Sequence, residues 1–365
     1  YAVDIASAGS YAYVADYNAG LRVIDVSTPS TPVEVGLLDT PGNAVGVAVA
    51  GGYAYVADYT QGLRVIDVGN PSAPVEVGSI DPPGLAQDVT VSGHYAYLAN
   101  AATGLRIIDI STPSAPVEVG WIRSTGSTSD VAVSGRYAYL ANGITGLRII
   151  DVSTPETPVE VGSWDSEGPA LAWGVAVANG YVYLSEADPA GSGAFLRVID
   201  VGTPSAPVEV GTFTAVWAEN PVVSAGHVFL TGGPMGMYVF AECGEGSTPD
   251  GRECFIPAAA VAAGAQGAFF QTDLELNNTG AEDAQVTLQW LPRGQDNSDP
   301  VSSDPITLAA GHSVRSENVL AELFGLGPDS LGALKVVATT ESVIGMSRTY
   351  NIRGAKAAGT FGQGL

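Results

Sequence analysis

YAYVADYNAGLRVIDVSTPSTPVEVG occupies Tyr11–Gly36, and the chain writes it again. YAYVADYTQGLRVIDVGNPSAPVEVG starts at Tyr53, YAYLANAATGLRIIDISTPSAPVEVG at Tyr95 and YAYLANGITGLRIIDVSTPETPVEVG at Tyr137. A looser copy starts at Tyr181 and a worn one at His227, so the aligned first aromatics lie 42, 42, 42, 44 and 46 residues apart. A period of about 40–50 residues holding four strands marks a propeller blade. In the third copy the four apolar runs are DVTVSG, YAYLAN, GLRIIDI and PVEVGWI. Each has strand length, is rich in Val, Ile and Tyr, and is bounded by Gly, Pro or Ser. One blade cannot bury both its faces, whereas packed neighbours can. The pattern predicts an all-β chain whose residues 1–242 form a six-bladed β-propeller.

GLRVIDVS and GLRIIDIS resemble the LVIVD-type repeat of bacterial and archaeal surface proteins. The resemblance covers residues 1 to about 242, and five of the six copies are close. It implies a β-propeller fold and a prokaryotic, secreted or cell-surface setting. It implies no shared chemistry, because such a family is defined by its repeat.

Composition narrows the partners. The 365 residues are 46% apolar, which suits a large folded core, and the 46 Gly and 23 Pro suit short strands joined by turns. No apolar run reaches the roughly 18 residues of a membrane span. The net charge is −24, with 14 Lys and Arg against 38 Asp and Glu, so phosphate backbones and anionic lipid are repelled. Nucleic acid and membrane insertion are excluded as expectations; protein, glycan and metal cations remain. The chain starts at Tyr1 rather than Met, which reads as a processed or trimmed form. Cys243 and Cys254 bound the linker 243–254. A disulfide there would place the chain in an oxidising compartment; two free thiols are the alternative.

The repeated polar residues read as scaffold. Arg22, Arg64, Arg106, Arg148 and Arg197 hold one position of the third strand, and Glu34, Glu76, Glu118, Glu160 and Glu209 one of the fourth. Five cross-strand ion pairs are expected. Asp25, Asp67, Asp109, Asp151 and Asp200 precede the Ser/Gly-x-Pro turn, where a carboxylate can accept from turn amides.

Differences among the copies point to one end of the blades. The third-to-fourth-strand loops hardly vary (STPSTP, GNPSAP, STPSAP, STPETP, GTPSAP), whereas the connectors to the next blade do (LLDTPGNAV, SIDPPGLAQ, WIRSTGSTS, SWDSEGPALAW, TFTAVWAEN). Loops held by a rigid scaffold carry function, so a binding site is expected at the connector end. Trp121, Trp164, Trp173 and Trp217 lie in or beside those connectors, with Glu219 and Asn220 nearby, as candidates for holding a sugar or a cationic side chain. Seven residues before each aligned aromatic stand Asp4, Gly46, Asp88, Asp130, Gly174 and Asn220. Asp4, Asp88 and Asp130, converging where the inner strands begin, are candidate ligands for a hard cation, calcium foremost. The alternative is that each binds backbone amides.

The sixth copy loses the repeat's Arg (Tyr238 replaces it) and Asp (Ala241 replaces it), and no PVEVG follows. An open strand edge there invites completion by another segment or another molecule. From Phe255 the runs FFQTDLELNN, AQVTLQWLP, DPITLAAGHSVR, LGALKVVATT and VIGMSRTYN predict an immunoglobulin-like β-sandwich over 255–365. It resembles accessory modules of secreted bacterial proteins. SENVLAELFGL reads as a short helix with Ser316 as N-cap, and the acidic stretch Asp296–Asp304 as a solvated loop.

The three His (His94, His227, His312) form no recognisable catalytic pattern. The expected function is therefore non-enzymatic: an extracellular interaction protein acting by self-assembly through the open sixth-blade edge and terminal arms, or as a surface adhesin through its variable face. A metal-dependent propeller hydrolase or lactonase using Asp4, Asp88 and Asp130 is the enzymatic alternative.

Overall fold

The computed structural model describes all residues except 166–167, 190–192, 216–217, 225–226, 232–236, 242–251, 264–267, 279–280, 293–300, 317–318, 326–329, 340–342 and 354–365. Five repeats each fold into a four-stranded antiparallel meander. Blade 1 holds β1 (Asp4–Ala8), β2 (Tyr11–Ala15), β3 (Leu21–Asp25) and β4 (Val33–Leu38); blade 2 holds β5 (Gly46–Ala50), β6 (Tyr53–Ala57), β7 (Leu63–Asp67) and β8 (Val75–Ile80). Blade 3 holds β9 (Asp88–Ser92), β10 (Tyr95–Ala99), β11 (Leu105–Asp109) and β12 (Val117–Ile122); blade 4 holds β13 (Asp130–Ser134), β14 (Tyr137–Ala141), β15 (Leu147–Asp151) and β16 (Val159–Trp164). Blade 5 holds β17 (Leu171–Ala178), β18 (Tyr181–Ala187), β19 (Ala194–Asp200) and β20 (Val208–Ala215).

The middle strands of a blade do not alternate between buried and exposed residues, because neighbours cover both faces. In β6, Ala54, Tyr55, Val56 and Ala57 are all buried, and in β7 so are Leu63, Val65 and Ile66. One core cluster joins Tyr13, Leu21 and Val23 of blade 1 to Val47, Val56 and Ile66 of blade 2, and the same pattern recurs at the next seams. The first strands β1, β5, β9, β13 and β17 lie side by side in series.

A bulge in the outer pair shapes each seam. Val23 faces Gly36 and Ile24 faces Glu34, so Val35 is the extra residue, and the same shift recurs in blades 2, 3 and 4. The glycine after the bulge seats the next blade's hairpin. A Cβ on Gly78 would lie 2.3 Å from the Pro113 carbonyl oxygen, on Gly120 2.0 Å from that of Pro155, and on Gly162 1.9 Å from that of Pro204. The constant PVEVG and the constant Thr-Pro or Asn-Pro turn are thus two halves of one contact. The turn is stiffened by its aspartate: the Ser27, Gly69, Ser111, Ser153 and Gly202 amides donate to Asp25, Asp67, Asp109, Asp151 and Asp200 at 2.7–2.9 Å.

By compactness the chain divides into Tyr1–Glu209 and Val210–Leu365, earlier than the expected boundary at 242. The reason is strand pairing. The sixth copy supplies β21 (Pro221–Ser224), β22 (His227–Thr231) and β23 (Met237–Ala241), and its next neighbour is β31 (Val343–Arg353), through Val239–Ser347 and Phe240–Met346. The expected open edge of β23 therefore carries a strand from the far end of the same chain. The second unit continues with β24 (Arg252–Ala263), β25 (Ala268–Asn278), β26 (Ala284–Pro292), β27 (Val301–Ser302), β28 (Ile306–Leu308), β29 (Ser313–Ser316), α1 (Val319–Phe324) and β30 (Ser330–Ala338). Its core gathers Leu274 and Leu276 of β25, Val286, Leu288 and Trp290 of β26, Leu308, and Val319 and Leu320 of α1. IPAAAVAAGA, which carried no strand expectation, lies largely within β24. Ser316 ends β29 and donates to Glu322 of α1 at 2.7 Å; the expected capping turn includes 317–318, which lie outside the described residues.

Candidate functional site

The structure brings the three first-strand aspartates together, with a different purpose from the expected one. Asp4 accepts from the Val47 amide at 2.7 Å, Asp88 from Val131 at 3.3 Å, and Asp130 from Val175 at 2.7 Å. Each carboxylate thereby reaches the first strand of the next blade. The Val131 amide also donates to Asp130 Oδ1 at 2.6 Å, so the Asp88 and Asp130 carboxylates meet at one amide. Burial, followed by the charge of Asp88, pushes Asp4 up to about 6. Burial, then the Asp130 charge, holds Asp88 well above the ordinary carboxyl range, and burial also raises Asp130.

The calcium expectation on Asp4, Asp88 and Asp130 is corrected on this geometry. Among the described residues no three Asp, Glu, His or Cys side chains are grouped to hold one ion. Carboxylate oxygens of all three accept from backbone amides. Gly46, at the same repeat position, is a spacer: its Cβ would sit 2.8 Å from both Cα and Oδ1 of Asp88. Gly174 donates its amide to Ser185 Oγ at 3.0 Å. Asn220 lies exposed before β21, and the Glu219 amide donates to the Thr231 carbonyl at 3.0 Å.

At the end where connectors and second-to-third-strand loops meet, much of the apparent variation is structural. Tyr17 pairs with Ala44, Tyr59 with Ala86, Ala101 with Thr128 and Gly143 with Ala172, so each connector zips to its own blade's loop. Tyr17, Tyr59 and Ala101 hold φ of +45 to +49°, a region that side chains disfavour and that this pairing enforces. The connector then grips the following blade. Thr40 Oγ1 donates to Asp58 Oδ1 at 2.6 Å and the Gly42 amide to Asp58 Oδ2 at 2.8 Å. In the next two blades Asn100 donates to the Pro83 carbonyl at 2.8 Å, and Thr128 donates to Asn142 Oδ1 at 2.9 Å.

The repeat arginines bridge this network to the rim. Arg22, Arg64, Arg106, Arg148 and Arg197 lie 3.0–3.4 Å from Glu34, Glu76, Glu118, Glu160 and Glu209. Their inner edges turn to Asp16, Asp58 (3.5 Å) and Glu186 (2.9 Å) in blades 1, 2 and 5, whereas blades 3 and 4 offer Asn100 and Asn142 at the same repeat position. Sequence reasoning missed this set, although it recurs five residues after each aligned aromatic: Asp16, Asp58, Asn100, Asn142, Glu186.

Three of the four candidate tryptophans lie among the described residues. Trp121 is 55% exposed with the Arg106 guanidinium 5.1 Å from its ring centroid. Trp164 is half-buried 5.9 Å from Arg197, and Trp173 is 49% exposed, its carbonyl accepting from Ser129 Oγ at 2.9 Å. No ring contact joins these three among the described residues. Trp217 and Cys243 lie outside the described residues, as do 296–300 of the acidic loop. Beside Trp121 and Trp173 the same end exposes Leu37 (57%) and Ile144 (72%). At the third residue after the seam glycine the connectors carry Asp39, Asp81, Arg123 and Asp165. The result is an acidic end with scattered apolar side chains.

Comparison with known proteins agrees with this architecture. The family described as LVIVD repeat matches residues 1–40, 41–82, 83–123, 125–166 and 170–215. No curated protein matches the chain. Among solved structures, the Cps50 (Swd1) β-propeller domain of Myceliophteria thermophila is 13% identical, covering 66% of this chain and 82% of that one at a TM-score of 0.53. The WD40 β-propeller domain of Doa1 is 9% identical, covering 66% and 78%, also at 0.53. The computationally designed protein Ika8 is 9% identical, covering 72% and 81%, at 0.51. At such identities the likeness concerns fold alone, and the fold is that of β-propeller blades.

Proposed function

Because the chain belongs to the LVIVD-repeat family, we propose that it is a non-enzymatic interaction module that binds a protein or glycan at the connector end of its blades. The observation that carries this reading is the contrast between the two ends. One end repeats a single turn; the other exposes Leu37, Trp121, Ile144 and Trp173 among acidic connectors. Exposed aromatic faces with acidic neighbours favour an uncharged or cationic partner. The reading extends to a six-bladed propeller followed by a β-sandwich, in an extracellular or cell-surface setting.

Self-assembly through an open sixth-blade edge was the competing reading. Its premise weakens, since β23 carries β31. Exchange of β31 between copies would reproduce the same pairing in a polymer, so the two readings separate in solution. The test combines light scattering with binding to a glycan array and to a panel of basic proteins. Binding by a monomer, lost in the Trp121→Ala, Ile144→Ala, Trp173→Ala triple variant with unchanged circular dichroism, is the expected result. Polymers that disappear when β31 is truncated would replace it with assembly, and metal-dependent lactone hydrolysis with the enzymatic reading.

An oxidising setting makes a second prediction. Cys243 and Cys254 are expected to form a disulfide, so the unfolded, unreduced protein should take up no alkylating reagent, and two equivalents after reduction. Uptake before reduction would remove the compartment argument.

A further inference from the structure

We propose that Asp88 and Asp130 share one proton between their carboxyl groups at neutral pH, and that this proton, joined by a second on Asp4 in mild acid, tightens three of the four seams between the first five blades. The geometry comes first. The carboxyl groups start from β9 and β13, adjacent first strands, and both accept from the Val131 amide, Asp130 Oδ1 at 2.6 Å and Asp88 Oδ2 at 3.3 Å. Two carboxylates at hydrogen-bond distance repel when both are ionised and attract when one proton lies between them. In that state Asp88 donates and Asp130 accepts, while Asp130 keeps the Val175 amide and the two carboxyl groups share the Val131 amide. The shared proton thus joins two seams at one point.

Among the described residues no ion pair neutralises Asp4, Asp88 or Asp130. Among the described residues, the charged groups that act on this trio are its own members: Asp88 on Asp4, Asp130 on Asp88, and Asp4 on Asp130. β5 presents Gly46 and β17 presents Gly174, with the Ser185 hydroxyl behind it. The repeat arginines are engaged with glutamates at the rim.

The sign follows from linkage. A carboxyl that holds its proton more tightly folded than unfolded takes up a proton on folding. Its stabilising effect is present in acid and is lost as pH rises through the folded-state value. For Asp4 that window runs from 3.8 to about 6. The turn aspartates oppose it on the acid side: amide and hydroxyl hydrogen bonds from the turn serines hold Asp25 and Asp109 low and, with Arg136, bring Asp151 to about 2, so those contacts fail only in stronger acid. The first unit should be most stable in mildly acidic solution.

The test is the thermal unfolding midpoint of the full chain between pH 5 and 8, for Asp88→Asn and for Asp39→Asn. Both replace one carboxyl group by an amide, but Asp39 is exposed on a connector. Asparagine at 88 can still accept from Val131 and donate to Asp130 without needing a proton. The expected result is a wild-type midpoint that falls as pH rises, a rise of about 3 °C or more at pH 8 in Asp88→Asn, and a flatter pH profile there than in Asp39→Asn. Equal slopes in the two variants would overturn the proposal. If Asp88→Asn does not fold, Asp130→Asn carries the same expectation. The infrared spectrum of the wild-type protein at pH 7 decides independently: a protonated-carboxyl band supports the shared proton, and its absence overturns it.

Discussion

Gly120→Ala is expected to lower the thermal unfolding midpoint by about 6–12 °C, corresponding to about 3 kcal/mol. The new methyl carbon would stand 2.0 Å from the Pro155 carbonyl oxygen and 3.0 Å from its carbon. Both are backbone atoms of the next blade's hairpin. That hairpin cannot yield alone: the Ser153 amide is held by Asp151 at 2.9 Å, and the Thr157 amide bonds the Thr154 carbonyl at 3.0 Å. The whole seam between blades 3 and 4 must open, and with it Leu105, Ile107 and Leu140 of the cluster beneath. Gly135→Ala is the matched comparison, with open space around its Cβ but φ at +59°. It should cost about 1 kcal/mol through backbone strain alone. A Gly120→Ala protein as stable as Gly135→Ala would show that the hairpin does not seat there.

The second large effect is expected at Asp58. Its carboxylate is fully buried and receives Thr40, Gly42 and Arg64. Asp58→Ala would strand the Thr40 hydroxyl and the Gly42 amide and leave the inner edge of Arg64 without a counter-charge. A loss of about 3–5 kcal/mol is expected from breaking such a buried group. Asp58→Asn should cost far less, about 1 kcal/mol, because asparagine keeps an acceptor for the connector. The chain itself carries that substitution, with Asn100 and Asn142 at the corresponding position of blades 3 and 4. Chemical denaturation of the two variants side by side tests the pair. Equal losses would mean that the charge, rather than the hydrogen-bond geometry, holds the connector.

The blade was legible in the sequence because its period, strand lengths and turn residues all repeat. Arg22 and Glu34 could be paired from their spacing about one hairpin. What lies between blades was not legible in the same way. Gly36 and Gly78 look like ordinary strand ends until a neighbour's proline carbonyl is placed against them. Gly46 reads as a gap in a ring of ligands, yet it is the place where β5 must clear Asp88. Asp4, Asp88 and Asp130 share one repeat position in the sequence, but their amide partners sit 43–45 residues further along the chain. Part of the connector has a structural role that the varying residues around it hide: Gly42, Gly84 and Gly126 each face a polar side chain of the following loop. The pairing of β23 with β31 joins segments about a hundred residues apart with no shared pattern, and only the fold reveals it.

The hairpin-on-glycine seam also has a genealogical consequence. It is directional, each blade carrying a socket on one side and a plug on the other, and socket and plug are nearly the same in every copy. Duplicating or deleting one 42-residue unit would regenerate the same joint without inventing a new one. The seam is therefore permissive about copy number, and the choice of where to stop must be encoded in the atypical units. Those are the repeats with spacings of 44 and 46 and the worn copy without a plug. Selection on length in such a chain would act first on its least regular repeats.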